Sequence, residues 1–529
     1  MRKNLYIIIT LMCTMVQGMW ALALTPSTEL EQYLTMSNRM IYRFNYPSTS
    51  VTGEPVVLSS LLACWAPSAP EAGDAIESVH MYSHYTVAAN SQCPTSSTLE
   101  SADLMALSIL FEGGSYDAKK PFKSVVKRSI VIMPDYEGYG VTADRTHPYL
   151  VEELTAQQVD DAVTYGMQLY AKLHGADNTL PLKDDWLSFS IGYSQGGAAA
   201  LAVQRYIEEN DLSDQLHFRG TLCGDGPYDL LATMRYYLDD NGASYDVTTA
   251  HREGQVTLPA VLPMIMNGMI VSNPTMSEHT LGDYFSQSFL DTGIMDWLGG
   301  KDMSLDDINN AWLEQIDNGS VTIGEKTYPA PENMNEMFFE QEVPGMIWGT
   351  TTVAWAMLDK IFTPGFYNYM KDPDNFISAP AMTGDAYEDM RCALEANNVC
   401  TGWQPKHRIQ FAHSKGDMVV PYGNYLAFHD AHPDGENDMY CIDNTFSEND
   451  HLSAGTSFLM KLAIDFIDYF EWIDAAEPTG IEGVREVPEF KSSRVQGGKG
   501  ARVQGIPVKV IKDGRLYLGE YNIVGQRVK

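Results

Sequence analysis

The stretch Gly192-Tyr193-Ser194-Gln195-Gly196 lies between two apolar runs, at 186–191 and 197–203. This arrangement predicts a strand, a sharp turn and a helix, with Ser194 at the apex. Glycines on both sides let the strand and the helix approach closely, and the turn lifts the serine hydroxyl clear of the sheet. That geometry is a nucleophile elbow, in which the backbone N–H of Gln195 points at a developing oxyanion.

Patterns on both sides of the elbow predict a mostly parallel sheet. Strand-like apolar runs occur at 54–66, 75–87, 128–133, 216–223, 407–412 and 438–442. Apolar residues recur at helical spacing over 155–174, and a last helix is expected at about 455–472. Strands that alternate with helices indicate a parallel sheet with helices on both faces, which together with the elbow predicts an α/β-hydrolase fold.

The alternation stops between residues 228 and 404. This segment holds 14 of the 27 methionines of the chain and reads as helical fragments separated by turns. It is too long for one crossover, so we expect a large, mostly helical cap inserted into the sheet, over Ser194. Methionine is flexible and suits adaptable apolar binding, and an ordinary packed core is the alternative interpretation.

The chain begins with a pattern typical of an export signal. Arg2 and Lys3 precede an apolar stretch of 12 residues, 5–16, and small residues stand before Leu24. The apolar stretch is short for a membrane span, so a cleaved leader is expected and a retained anchor is the alternative. We therefore expect a secreted protein, located outside the cell, on its surface or in the periplasm.

The C-terminal segment differs in composition from the rest. Residues 476–529 carry ten Lys or Arg and six Asp or Glu, and two strand-like runs flank Asp513-Gly514, a strong hairpin signal. This predicts a small β appendage after a linker. The predicted organisation is a signal peptide at 1–23, a first core part at 24–227, the cap at 228–404, a second core part at 405–475 and the tail at 476–529.

Composition excludes several classes of function. The net charge of −34 over 529 residues argues against nonspecific nucleic-acid binding. Neither Cys-x-x-Cys nor His-Glu-x-x-His spacing occurs, so a zinc site is not expected, and no cofactor is predicted. Six cysteines remain after Cys13, which allow 15 disulfide connectivities; Cys392 and Cys400 are the closest pair in sequence.

A serine nucleophile needs a base and an acid, which follow the serine in the order Ser, Asp or Glu, His in this fold. The predicted acid is Asp417, in a turn just after a strand, and Asp385 and Asp443 are the alternatives. The predicted base is His451, which stands 34 residues later, before the last helix. Four other histidines fit less well, two in an expected helix or connecting loop and two in or beside a strand: His429, His432, His407 and His413.

The second oxyanion donor is expected in the turn Pro134-Asp135-Tyr136-Glu137-Gly138-Tyr139-Gly140, which follows a strand before the elbow. A Gly-rich connecting loop without a catalytic role is the alternative. On these residues, with His147-Pro148-Tyr149-Leu150 and 192–196, the chain resembles the secretory lipases, the lipase A-like branch of α/β hydrolases.

The resemblance implies hydrolysis of carboxylic esters, often acyl glycerols, without a metal or an organic cofactor. It also implies that Asp135 and Gln195 line the oxyanion hole, and Asp417 and His451 fall where that family keeps its acid and base. The end of the tail, 521–528, resembles the C-terminal segments of proteins exported by type IX secretion, which implies secretion machinery as a partner.

These patterns predict a secreted serine hydrolase that acts on a small-molecule or lipid ester through Ser194, Asp417 and His451. Two other functions stay open. A serine peptidase shares the fold and triad, but needs an acidic or carbonyl-rich clamp for a substrate amine. A non-catalytic surface binding protein on a hydrolase scaffold has no need of a complete triad.

Overall fold

The structure is a computed structural model of the chain. It describes residues 24–36, 38–97, 106–107, 110–111, 114–115, 123–124, 128–173, 179–238, 253–344, 350–443, 450–459, 472–473, 506–512 and 515–521. The predicted signal peptide, the linker at the start of the tail and the tail's last residues lie outside the described residues.

A nine-stranded sheet forms the centre of the main body. Its strands are β1 (Glu31–Met36), β2 (Arg39–Thr49), β3 (Pro55–Trp65), β4 (Ile76–Ser83), β5 (Ser129–Pro134), β6 (Leu182–Tyr193), β7 (Phe218–Gly224), β8 (Arg408–Ala412) and β9 (Tyr440–Asp443).

The strands lie in the order β1-β2-β3-β5-β4-β6-β7-β8-β9. The first three pair antiparallel and β3 pairs antiparallel with β5, whereas all pairs from β5 to β9 are parallel. Every residue of β5 is buried, as expected for a central strand covered on both faces. The predicted mostly parallel sheet is confirmed.

Two long helices pack on the sheet beside the elbow. They are α1 (Glu152–Leu173) and α2 (Gln195–Glu209). α1 has Glu152 and Glu153 in its first turn, where carboxylates favour the positive end of the helix dipole. Gly166 lets α1 approach the sheet, since a Cβ there would lie 2.8 Å from the ring of Phe44. The result is a helix layer pressed closely against the strands that carry the site.

The cap enters the chain between β7 and β8. Its longer helices are α3 (Leu230–Leu238), α4 (Val261–Ser272), α5 (Leu305–Asn318) and α6 (Ala386–Ala396). Shorter helical segments are Leu281–Tyr284, Gln287–Phe289, Leu290–Ile294, Met295–Gly300, Met334–Met337, Leu358–Ile361 and Pro364–Lys371. The main body adds the short helix Ser213–Leu216, α7 (Gly423–Ala431) and the helical residues 451–459.

The insertion is not purely helical. The strands Gln255–Val256, Phe338–Pro344 and Thr350–Met357 form a three-stranded antiparallel sheet, and Ser320–Ile323 pairs with Lys326–Pro329 as a hairpin. These strands do not pair with the main sheet, so they do not continue its series of parallel strands. The insertion has its own hydrophobic core, separate from the core around the main sheet.

The tail forms a unit of its own, Gly480–Lys529, apart from Met1–Thr479. Within it, Ile506–Lys512 pairs antiparallel with Arg515–Tyr521 around the predicted Asp513-Gly514 turn. None of the six cysteines of the described residues forms a disulfide. No helix among the described residues is long and apolar enough to cross a membrane.

Candidate active site

The elbow forms where β6 passes into α2. Ser194 stands between them with φ 59° and ψ −125°, a strained conformation for a residue with a side chain. A Cβ on Gly192 would meet the carbonyl oxygen of Gly196 at 2.0 Å, and a Cβ on Gly196 would meet that of Ser83 at 2.0 Å. Both glycines are therefore required by close backbone approach, which turns Ser194 out of the sheet.

Three side chains from distant parts of the chain form one hydrogen-bonded relay. The Nε2 atom of His451 lies 2.8 Å from the Oγ atom of Ser194. Its Nδ1 atom lies 2.5 Å from the Oδ2 atom of Asp417. All three side chains are largely buried, with Ser194 9% exposed, His451 6% and Asp417 0%. This is the geometry in which a histidine removes the proton of a serine while a carboxylate orients the ring.

The carboxyl group of Asp417 is held by its own turn. Its Oδ1 atom accepts hydrogen bonds from the backbone N–H groups of Val419 at 2.7 Å and Val420 at 2.8 Å. The turn follows β8, so Asp417 lies at the carboxyl end of the sheet, where parallel strands bring their functional loops together. Oδ2 is left to bind the imidazole of His451.

His451 begins the helical stretch 451–459. The hydroxyl of Tyr193 donates to its carbonyl oxygen at 2.6 Å, and the two rings lie 5.3 Å apart. Burial acts to lower the pKa of His451, but the charge and hydrogen bond of Asp417 outweigh it and raise the pKa above its usual value. The imidazolium formed during proton transfer is thus stabilised by its surroundings.

The alternative acid and base residues have other roles. Asp385 caps α6 by accepting from the N–H groups of Tyr387 and Glu388. Asp443 ends β9. The four other histidines bind elsewhere: His407 to Glu208, His413 to the carbonyl of Val420, His429 to Asp430 and Glu436, and His432 to the carbonyl of Cys400.

The N-terminus of α2 lies beside Ser194, where the sequence predicts the first oxyanion donor. A helix leaves its first N–H groups without an acceptor inside the helix. Gln195 is the first residue of α2 and directly follows Ser194, so its N–H is available beside the nucleophile. Its side chain donates to Nε2 of His147 at 3.0 Å, and Nδ1 of His147 binds the carbonyl of Glu137 at 2.7 Å. Burial lowers the pKa of His147 to about 3, so its ring is a neutral acceptor.

The prediction for Asp135 needs correction. Its backbone N–H already donates to the carbonyl of Ser59 at 3.0 Å. Its carboxyl group is fully buried and accepts from the hydroxyls of Ser59 and Thr95, both at 2.5 Å, and from the N–H of Thr95 at 2.8 Å. Asp135 therefore connects β5 to neighbouring segments through hydrogen bonds. This agrees with the alternative interpretation, a connecting loop without a catalytic role.

The strand order explains why the turn after β5 does not supply the second oxyanion donor. β5 precedes the elbow in sequence, but β4 lies between β5 and β6 in the sheet. The turn next to the elbow therefore follows β4, and the close approach of Gly196 to Ser83 places the two backbones in contact. Tyr85 and Thr86 of this turn line the same cavity as Ser194. No local sequence pattern marks this turn as a neighbour of Ser194.

An apolar cleft opens from Ser194 and His451. It holds about 1510 Å³ of space including its open mouth. The cap contributes Leu258 and, from α4, Val261, Leu262 and Ile265. The main body contributes Tyr82, Tyr149, Leu150, Val419, Val420, Leu452 and Leu459, and α3 of the cap adds Leu230, Met234 and Tyr237. No Asp, Glu, Lys or Arg belongs to the described lining residues.

The methionines of the cap serve packing more than the cleft. Met234 is the one methionine among the described lining residues. Met266, Met269, Met276 and Met390 are at most 1% exposed and belong to the core of the cap. The expectation of a methionine-lined pocket is thus replaced by the alternative interpretation of a packed core, and branched aliphatic residues form the cleft wall.

One buried cluster has residue types that can bind metals, namely Asp225, His413 and Asp417. Several of its possible ligand atoms are already in hydrogen bonds. Nε2 of His413 lies 3.0 Å from the carbonyl of Val420, and both carboxyl oxygens of Asp417 have partners. The arrangement fits an acid and hydrogen-bond network better than a cation site.

The fold of the chain is similar to that of solved hydrolase structures. A protein described as a candidate hydrolase from Legionella pneumophila subsp. pneumophila str. Philadelphia 1 superposes with a TM-score of 0.55 at 18% identity, over 83% of this chain and 90% of that chain. The rice cell wall degrading esterase LipA from Xanthomonas oryzae gives 0.54 at 19% identity, over 83% and 97%. The fold is that of the α/β hydrolases. No protein-family profile and no curated protein matches the sequence.

Proposed function

We propose that the chain is a secreted serine hydrolase that cleaves carboxylic esters. The observation that carries the proposal is the relay in which His451 bridges Ser194 and Asp417 at 2.8 Å and 2.5 Å. A strained elbow serine, a helix N-terminus beside it and an apolar cleft in front of it support the same chemistry. The esterase likeness of the fold agrees with this function.

The reaction proceeds in two acyl-transfer steps. Nε2 of His451 takes the proton of Ser194 as Oγ attacks the ester carbonyl, and Asp417 stabilises the imidazolium. The oxyanion accepts from the N–H of Gln195 and from a second donor in the turn 83–86 after β4. His451 then protonates the leaving alcohol, and a water activated by the same imidazole releases the acid from Ser194.

The cleft indicates the substrate class. Its wall of branched aliphatic and aromatic side chains suits an ester with an apolar acyl or alcohol part. A peptidase of this fold would need a charged or carbonyl-rich clamp for a substrate amine, and no carboxylate belongs to the described lining residues. An apolar ester therefore fits the cleft better than a peptide.

Export is part of the proposal. It is supported by the charged and apolar pattern of residues 1–23 and by the likeness of 521–528 to type IX secretion segments. The leader would be removed before Leu24, and the tail would engage the secretion machinery.

Labelling and turnover test the chemistry together. A fluorophosphonate probe should label the wild-type chain, and nitrophenyl esters of graded acyl length should be hydrolysed in preference to peptide amides. Ser194→Ala should abolish labelling and lower kcat by on the order of 10⁴-fold or more.

Ser190→Ala is the matched control. Ser190 lies in β6, the strand that leads into Ser194. Its buried hydroxyl has no hydrogen-bond partner among the described residues, so turnover should be retained. A folded Ser194→Ala protein with near-normal turnover would refute the mechanism. A wild-type protein that neither labels nor hydrolyses any ester would favour a binding protein.

A further inference from the structure

A second buried acid lies beside the relay, and the mechanism above does not use it. Asp225 directly follows β7, and its side chain is 2% exposed. One of its carboxyl oxygens lies within 4.8 Å of a carboxyl oxygen of Asp417. Burial of an ionisable group is costly unless hydrogen bonds or a change of protonation state compensate. Asp225 accepts hydrogen bonds, and its surroundings also favour its protonated form.

The sheet itself holds Asp225 in this position. β7 and β8 are parallel neighbours, so the turns after them lie side by side at the same sheet edge. The N–H of Asp225 donates to the carbonyl of Ala412 at 2.9 Å, and the N–H of Ser414 donates to Oδ1 of Asp225 at 2.6 Å. The backbone of Asp225 has φ 37°, a conformation uncommon for a residue with a side chain. Its carboxyl group is therefore directed by two adjacent strands.

Burial raises the pKa of the Asp225 carboxyl well above its usual range, and the neighbouring charge of Asp417 raises it further. His451, the N–H of Ser414 and the hydroxyl of Tyr193 act in the opposite direction. Two carboxyl groups that share a buried site do not readily ionise together. Asp225 therefore favours its neutral, protonated form next to the carboxyl group of Asp417.

The remaining groups that face Asp225 carry no charge near neutral pH. Nε2 of His413 lies 3.6 Å from Oδ1 of Asp225, and burial lowers the pKa of His413 to about 4. Burial also raises the pKa of Tyr193 well above its usual value. Asp417 and His451 are thus the two described groups whose charges govern Asp225.

We propose that Asp225 is a reserve acid of the triad, a positioning residue that supplies the negative charge for His451 when Asp417 does not. This inference rests on the proposed ester hydrolysis through Ser194 and His451. Burial still disfavours the carboxylate, but removal of the charge of Asp417 ends the repulsion, and the positive charge that forms on His451 favours ionisation of Asp225. The proton of Asp225 is then released to solvent. The new carboxylate then stabilises the imidazolium across the vacated space, and His451 still takes the proton of Ser194.

A double-mutant cycle on kcat/KM tests the inference. Asp417→Ala is used because an Asn amide would donate to Nδ1 of His451 and impose the wrong imidazole tautomer. Asp225→Asn keeps the acceptor for Ser414 and resembles the neutral acid, so alone it should cost less than about fivefold. Asp417→Ala should cost on the order of 10²-fold, and the double variant on the order of 10⁴-fold. The loss in the double variant then exceeds the product of the single losses.

The pH profile separates a charge effect from a packing effect. In the double variant the acid limb of kcat/KM should have its midpoint at lower pH than in Asp417→Ala, because the imidazolium has lost a stabilising negative charge. A purely structural role of Asp225 would lower activity without moving this midpoint.

Two further acids serve as comparisons in the Asp417→Ala background. Asp229→Asn removes a partly buried carboxyl group, which accepts from Asn398 at 2.9 Å, and should leave the remaining activity unchanged. Asp450→Asn tests the other acid whose charge reaches His451. If Asp450→Asn, and not Asp225→Asn, removes the residual activity, Asp225 is not the reserve acid.

The outcomes are distinct from those of the proposed function. Multiplicative losses, an unshifted acid limb, or a loss on the order of 10⁴-fold in Asp417→Ala alone would overturn the reserve role while ester hydrolysis stands. An inactive wild-type protein would instead refute the function. Circular dichroism checks folding, and if Asp417→Ala does not fold, Asp417→Ser retains an acceptor for Val419 and enters the same cycle with the same expectations.

Discussion

At the scale of single residues, the environment of His451 sets the conditions under which the site can work. The ring is buried between the hydroxyl of Ser194 and the carboxyl group of Asp417, and the charge of Asp417 stabilises its protonated form. Catalysis needs the neutral ring, since only a free Nε2 lone pair accepts the serine proton. Stabilising the imidazolium helps the transition state but narrows the acidic range of activity.

The pH dependence of kcat/KM follows from this balance. Because the pKa of His451 is raised, activity should fall on acidification through a midpoint above about 6.5, the value of an unperturbed imidazole. The measurement is a pH profile of nitrophenyl ester hydrolysis under kcat/KM conditions. A midpoint below that of a free imidazole would show that burial outweighs the charge of Asp417.

At the scale of elements, Lys301 is one point at which the cap attaches to the main body. Lys301 ends the helical segment Met295–Gly300 in a left-handed conformation, with φ 53°, and is 8% exposed. Its ammonium group donates to the carbonyl oxygens of Gly138, Ala143 and Arg145, the one to Ala143 at 3.1 Å. One cap residue thus satisfies three carbonyl groups of the loop that follows β5.

Lys301→Met should weaken this attachment. Loss of the donor leaves the buried carbonyl group of Gly138 unsatisfied, so the free energy of unfolding should fall by about 1–3 kcal/mol. Urea titration monitored by fluorescence measures the change.

Lys326→Met is the control for Lys301→Met. Lys326 is 63% exposed and pairs with the exposed Asp296 on the cap surface, so its loss should leave the free energy of unfolding nearly unchanged. Equal effects of the two substitutions would show that Lys301 is not a fastening point.

At the scale of the whole molecule, the chain divides into Met1–Thr479 and a small unit, Gly480–Lys529. The first unit contains every residue of the relay and of the cleft. It ends beyond Trp472 and Ile473; the carbonyl of Trp472 accepts from Arg408 at 2.7 Å, and Ile473 is 1% exposed. The second unit contains a hairpin with its own ladder of hydrogen bonds.

A chain that ends at Thr479 should therefore keep its turnover in vitro and its thermal midpoint, while export from the native host should fail. A chain that ends at Tyr469 is the control, because it loses Trp472 and Ile473 and should be clearly less stable. If the Thr479 truncation folds but has no esterase activity, the tail completes the active site and is not a separate appendage.

Local sequence determined the parts of this protein that depend on neighbouring residues. Gly192 and Gly196 around Ser194 predict the strained turn, since only glycine tolerates the backbone contacts that the turn imposes. Alternating strand and helix patterns predict the parallel sheet, and the order of Asp417 and His451 along the chain matches the relay that the structure brings together. Each of these features is encoded by spacing along the chain.

The tertiary structure alone decided which segments meet across the sheet. Because β4 lies between β5 and β6, the turn after β4 reaches the elbow, and Asp135 after β5 has a structural role instead. The same strand order brings Asp225 beside Asp417. These residues follow β7 and β8, which are neighbours in the sheet but are separated in sequence by the whole cap. Such contacts arise from strand order, and strand order is set by the packing of the entire core, which no local pattern records.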